Sequence, residues 1–85
     1  MAVYMGERYV PHADQRLVLA QSERLRLALA EADQSGVRLL STTFVANEEW
    51  VFDVFEAVSA EAVERLYTAG EVAFERVTEA VHLRD

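Results

Sequence analysis

An α+β sandwich running β-α-β-β-α-β is the fold this sequence predicts. Two segments, residues 13–34 and 60–69, repeat their apolar side chains with a 3.6-residue period. Four others, residues 3–10, 37–45, 50–57 and 76–83, are rich in Val, Thr and aromatics or alternate along the chain. Breaks fall at Pro11, Gly36, Asn47, Ser59 and Gly70, and with three Gly and one Pro in 85 residues each break is read singly. This order is the ferredoxin-like arrangement within one domain. Right-handed crossovers put strands 1 and 3 at the centre, parallel to one another, in sheet order 4-1-3-2 with both helices on one face.

Taken in order, strand 1 alternates Val3, Met5, Glu7 and Tyr9 with Tyr4, Gly6, Arg8 and Val10, and stops at Pro11, which has no N–H to give a ladder. Asp14 suits the N-terminus of the first helix, as a cap or a first-turn charge. The buried stripe of that helix is Leu17, Val18, Gln21, Leu25, Ala28, Leu29 and Ala32; Leu19 and Leu27 stray to the other flank. Gly36 suits its C-terminal boundary. Residues 46–49 (ANEE) make a four-residue hairpin loop between strands 2 and 3. Ser59 caps the second helix, which buries Ala62, Val63, Leu66 and Tyr67 and ends at Gly70. Residues 71–75 form a turn with Phe74 turned into the core, and 76–83 form the last strand.

The central hairpin is apolar on both faces. Strict alternation puts Val37, Leu39, Val45, Trp50, Phe52 and Val54 on one side and Leu40, Phe44, Val51, Phe55 and Ala57 on the other. Two helices cover only one side, and an exposed aromatic face is an aggregation hazard. A second copy packed sheet to sheet answers it, so a homodimer through the open face is expected.

Charge excludes several partners. Fifteen acids against eight arginines give −7, with ten of the acids in residues 45–85. No basic patch exists for a phosphate backbone or an anionic bilayer, so neither nucleic acid nor membrane is expected as a partner. No targeting segment is evident, and the cytoplasm is the expected location. With no Cys, thiol catalysis and cysteine-ligated metals are excluded. Glycine-rich phosphate loops and the G-x-S-x-G and H-E-x-x-H motifs are missing. His12 and His82 sit at opposite ends of the inferred sheet, so no cofactor or metal is expected.

The candidate site residues are acids on strands. A register pairing Tyr4 with His82 sets Glu7 against Glu79 on an otherwise apolar face, where like charges repel and a pKa must rise unless a cation intervenes. Asp53 and Glu56 lie on strand 3, and one of them shares the face of Glu7. Paired carboxylates there could serve acid–base work or hold a hard cation. The other reading sends Glu7 and Glu79 to the sheet rim to pair with Arg8, Arg76 or Arg38. Tyr4 and His82 complete the ligand-binding set of Glu7, Glu79, Glu56, His82, Tyr4 and Asp53.

The segments YMGERYV (4–10), GVRLLSTTFVANEEWVFDVFEAVSAEAVERL (36–66) and AGEVAFERVTEAVHL (69–83) resemble a family of small bacterial proteins of unknown function, some described as nickel-binding. The resemblance implies a dimeric α+β barrel of two ferredoxin-like subunits. Nickel-binding members carry histidines in strand 1 and around the A-G turn, where this chain has Gly6-Glu7-Arg8-Tyr9 and Ala69-Gly70-Glu71-Val72, so the metal is not carried over. The resulting expectation is a small-ligand-binding homodimer. The alternatives are a cofactor-less oxygenase or isomerase of the same barrel type, or a weak metal binder.

Overall fold

The computed structural model describes residues 1–31, 36–81 and 83. The elements are β1 (Ala2–Tyr9), α1 (Gln15–Glu31), β2 (Val37–Val45), β3 (Trp50–Ala57), α2 (Ala60–Ala69) and β4 (Arg76–Ala80), with a 3₁₀ turn over Ala46–Glu48. The part of the first helix expected beyond Glu31, including Ala32, lies outside the described residues, as does His82.

Local chemistry explains the boundaries. The Asp14 carboxylate accepts from the Leu17 N–H at 2.8 Å, satisfying a first-turn donor of α1. Ser59 does the same for the Ala62 N–H at 3.2 Å. Gly70 closes α2 through its N–H to the Leu66 carbonyl, and Arg24 of α1 donates to the Glu71 carbonyl just beyond. Both helices cover one face of a single sheet ordered β2-β3-β1-β4. The core between them is Leu25 and Ala28 of α1, Ala62, Val63, Leu66 and Tyr67 of α2, and Val37, Phe55 and Ala57 of the sheet. Phe74 stacks on Tyr67 with ring centroids 4.8 Å apart. No helix among the described residues is long and apolar enough to cross a membrane.

Four expectations need correction. The sheet is open: β2 and β4 are its unpaired edges, so the chain does not form the expected α+β barrel. Four strands are too few to close around a core, since about eight are needed before barrel side chains just fill the interior. The two central strands are antiparallel, with Gly6 opposite Asp53 and Arg8 opposite Val51. Strand β2 runs parallel to β1 after the α1 crossover, and the tight β2–β3 hairpin then reverses direction.

The other two corrections concern register. Glu79 faces Tyr4, and Glu7 faces Arg76, three residues from the expected pairing. An odd slip exchanges the faces of the whole strand. Two bonds set it: the Glu75 N–H donates to the Glu7 carbonyl at 2.7 Å, and the Glu75 carboxylate accepts from the Tyr9 N–H at 2.6 Å. In this register β1 begins at Ala2, with Val3 opposite Ala80, and β4 ends there instead of at residue 83. In β2, a bulge between Leu39 and Ser41 leaves Leu40 without a partner. Val37 and Leu39 therefore share the helix-covered face with Thr42 and Phe44, while Val45 joins Trp50, Phe52 and Val54 on the open one. Of the two apolar faces of the hairpin, the one with Val51 and Phe55 is the face buried under the helices, and the one with Trp50, Phe52 and Val54 is the open face.

Candidate functional site

Beneath the helices the sheet carries a buried polar network. Arg8 of β1 and Asp53 of β3 are both fully buried. The Arg8 guanidinium grips the Asp53 carboxylate with two bonds, Nε to Oδ2 at 2.8 Å and Nη2 to Oδ1 at 3.2 Å. Its Nη1 donates to the Gln21 Oε1 of α1 at 2.7 Å. Tyr67 of α2 donates its hydroxyl to Asp53 Oδ2 at 2.6 Å, and Thr42 of β2 donates to Oδ1 at 2.9 Å. Ser22 of α1, also buried, reaches Thr42 Oγ1 at 3.5 Å. Every element except β4 contributes a member.

The glycine in strand 1 makes this possible. Gly6 sits directly opposite Asp53 on the helix-covered face, and a Cβ there would lie 1.9 Å from the Tyr67 hydroxyl. Arg8 approaches Asp53 diagonally, two residues along β1. The four donors fill the four acceptor positions of one carboxylate, so a buried charge is both paired and fully hydrogen-bonded, the condition under which it is tolerated. Burial, followed by the Asp53 charge and the bond to it, pushes the Tyr67 phenol far above its ordinary value. Tyr67 is a fixed donor.

A cavity of about 400 Å³ adjoins this network between α1 and β2, lined by Gln15, Val18, Leu19, Ser22 and Arg26 on one side and Thr42 and Phe44 on the other. Its walls mix apolar side chains with a few polar ones, the make-up of small-molecule sites.

The expected site residues separate. Asp53 anchors the network. Tyr4 lies on the same face and packs half-buried against the core, with Glu79 exposed beside it on β4. Glu7 lies on the open face, gripped by Arg76 through Nε to Oε2 at 2.6 Å and Nη2 to Oε1 at 3.2 Å. Glu56 shares that face and meets Arg38 at 3.2 Å. The apposition of Glu7 and Glu79 does not occur, and the rim pairing with Arg76 takes its place for Glu7. Among the described residues no three His, Cys, Asp or Glu side chains gather as metal ligands. Sequence reasoning missed Arg8, Gln21, Thr42 and Tyr67. Opposite charges on the two central strands were the available signal, and taking those strands as parallel hid it.

The open face carries a run of rings: Tyr9 and Trp50 at 5.6 Å between centroids, and Trp50 and Phe52 stacked at 6.3 Å. Val3, Met5, Val45 and Val54 surround them, half-buried. At one end Glu49, in a left-handed conformation at φ 60°, accepts from the Tyr9 hydroxyl at 3.3 Å and from the His12 N–H. The Glu49 charge raises the Tyr9 pKa, helped by that bond.

The chain matches no protein-family model. No curated protein matches it either. Among solved structures, SCO4226 from Streptomyces coelicolor A3(2) superposes with a TM-score of 0.81 at 17% identity, covering 98% of this chain and 100% of that one. At that identity the likeness shows the fold, in agreement with the fold that the family resemblance implied for each subunit. This chain is therefore a ferredoxin-like βαββαβ protein with an open four-stranded sheet.

Proposed function

We propose that this chain is a small-ligand-binding protein working as a homodimer, with the ligand between α1 and β2 and the second copy on the open face of the sheet. The observation that carries the ligand reading is the contact between the cavity and the buried network, where Ser22 and Thr42 belong to both. Rigid polar groups at the floor of a half-apolar hollow give orientation and specificity. Asp53 has no acceptor position left for a proton from a substrate, which favours binding over general-base catalysis.

The homodimer rests on a separate observation. Trp50, Phe52, Val54, Met5 and Val3 lie together on the face that neither α1 nor α2 covers. The charges along it pair with one another, Glu7 with Arg76 and Glu56 with Arg38. Among these strand charges a second copy therefore meets no net charge, the Glu49 carboxylate standing at the end of the ring run.

Sedimentation equilibrium at micromolar concentration tests the dimer. A mass twice the 9.6 kDa of the chain is expected, falling to one chain in Phe52→Asp with helical circular dichroism unchanged; a wild-type monomer contradicts it. Amide chemical shifts with a panel of small aromatic acids, alcohols and amines at millimolar concentration test the ligand site. Shifts should centre on Val18, Leu19, Ser22, Thr42 and Phe44. Their absence there with every compound contradicts the ligand reading.

A further inference from the structure

The charge and the hydrocarbon of the cavity wall lie at opposite ends. Ser22 of α1 faces Thr42 of β2 at 3.5 Å and marks the middle. Arg26 stands four residues beyond Ser22, one turn or about 6 Å toward the helix C-terminus. Val18 stands four residues before it, as far the other way, with Leu19 beside it. As the crossover between the parallel strands β1 and β2, the helix runs antiparallel to both. Phe44, two residues past Thr42, therefore joins the Val18 end. Along the cavity the wall reads cation, hydroxyls, then hydrocarbon.

Each end has a feature that asks for a ligand group. Arg26 is the one charged residue of this lining among the described residues, in a chain whose sequence totals −7. It makes no ion pair among the described residues, and Asp53 behind Thr42 is neutralised by Arg8 at 2.8 Å. The Arg26 end is thus locally positive, and a guanidinium fork matches a carboxylate. At the other end Leu19 is 60% exposed, whereas Val18 beside it is 4% exposed. Leu19 lies off the buried stripe of α1, and an apolar tail in the cavity covers it.

We infer that the cavity takes an aliphatic monocarboxylic acid of medium chain length: the carboxylate meets Arg26, and the tail crosses the Ser22–Thr42 floor to end against Val18, Leu19 and Phe44. This rests on the ligand reading above and adds the chemical class. The two ends are about 12 Å apart along the helix axis, and a long helical side chain leans back over the preceding turn. Butanoate is too short to hold both ends; octanoate spans them.

Titration calorimetry with butanoate, octanoate, octan-1-ol and octylammonium tests it, with amide chemical shifts locating each compound. Octanoate should bind about tenfold or more tightly than butanoate, since each fully buried methylene is worth a factor of about four. It should bind about tenfold more tightly than octan-1-ol, the effect of one charge-assisted hydrogen bond, and octylammonium should bind more weakly still. In Arg26→Gln octanoate should fall to the level of octan-1-ol, whose own affinity stays. In Leu19→Gln octanoate should weaken about threefold with butanoate unmoved. Both residues are exposed and neither touches the Arg8–Asp53 pair, so the fold is kept. Equal binding of octanoate and octan-1-ol, with shifts at Val18 and Phe44, overturns the acid class and leaves the ligand site standing. Shifts centred on Trp50 and Phe52 overturn the inference, because the tail has then chosen the open face. No binding by any of the four overturns it too, and the ligand site falls as well if the wider panel also leaves Val18 and Phe44 unshifted.

Discussion

At the scale of single residues, the molecule turns on one missing side chain. Without a Cβ at position 6, the Tyr67 hydroxyl reaches Asp53; with one, it cannot. Gly6→Ala should therefore displace Tyr67, and the overpacking together with the lost bond should cost about 3 kcal/mol. A lower urea midpoint with an unchanged slope is the expected readout; an unaltered midpoint would show that the strand yields freely. The same tyrosine gives the protein an alkaline limit. The folded state holds the Tyr67 proton well above the ordinary phenol value of 10.0, whereas the unfolded chain releases it near that value. The stabilisation is complete below about pH 10 and declines as pH rises past it, since the folded state then binds more protons than the unfolded one. Tyr67→Phe should lose about 1–2 kcal/mol at neutral pH and show a shallower decline between pH 10 and 11 than the wild type. Equal slopes would contradict this account of the buried phenol.

Elements were readable where the signal was local, and misread where it depended on pairing. Ser59, Asp14 and Gly70 mark helix ends through bonds to their own neighbours, and the structure has them in those roles. The buried stripe of α2 follows directly from its period. Strand register does not arise from the strands themselves: β4 is set by Glu75, which lies outside it and bonds to both Glu7 and Tyr9. Nothing in an alternating RVTEAVHL distinguishes one register from another three residues away. The bulge at Leu40 is equally silent in VRLLSTTFV, yet it carries Val37 and Leu39 onto the helix-covered face beside Ala57 and Phe55. Of the site, Asp53 could be selected as an acid among apolar neighbours; its partners required the antiparallel pairing of β1 and β3. Glu7 takes its partner from this register too. Arg76 is largely exposed, so Glu7→Gln should lower stability slightly, with the difference from wild type shrinking in molar salt. A loss that ignores salt would point to packing instead of the ion pair.

At the scale of the whole molecule the sheet has two faces with different work. One holds the helices, the core and a closed polar network beside a cavity. The other presents Tyr9, Trp50 and Phe52 with no element of the described residues over them. In this account that second face is covered by another copy, which relieves an aromatic surface too apolar for water. Trp50 is the chain's single tryptophan and stands in the middle of the run, so its quenching by acrylamide reads that face directly. The account predicts weak quenching at tens of micromolar, rising as dilution separates the copies, strong at every concentration in Phe52→Asp, and unmoved by a compound bound between α1 and β2. Strong, concentration-independent quenching in the wild type would contradict it.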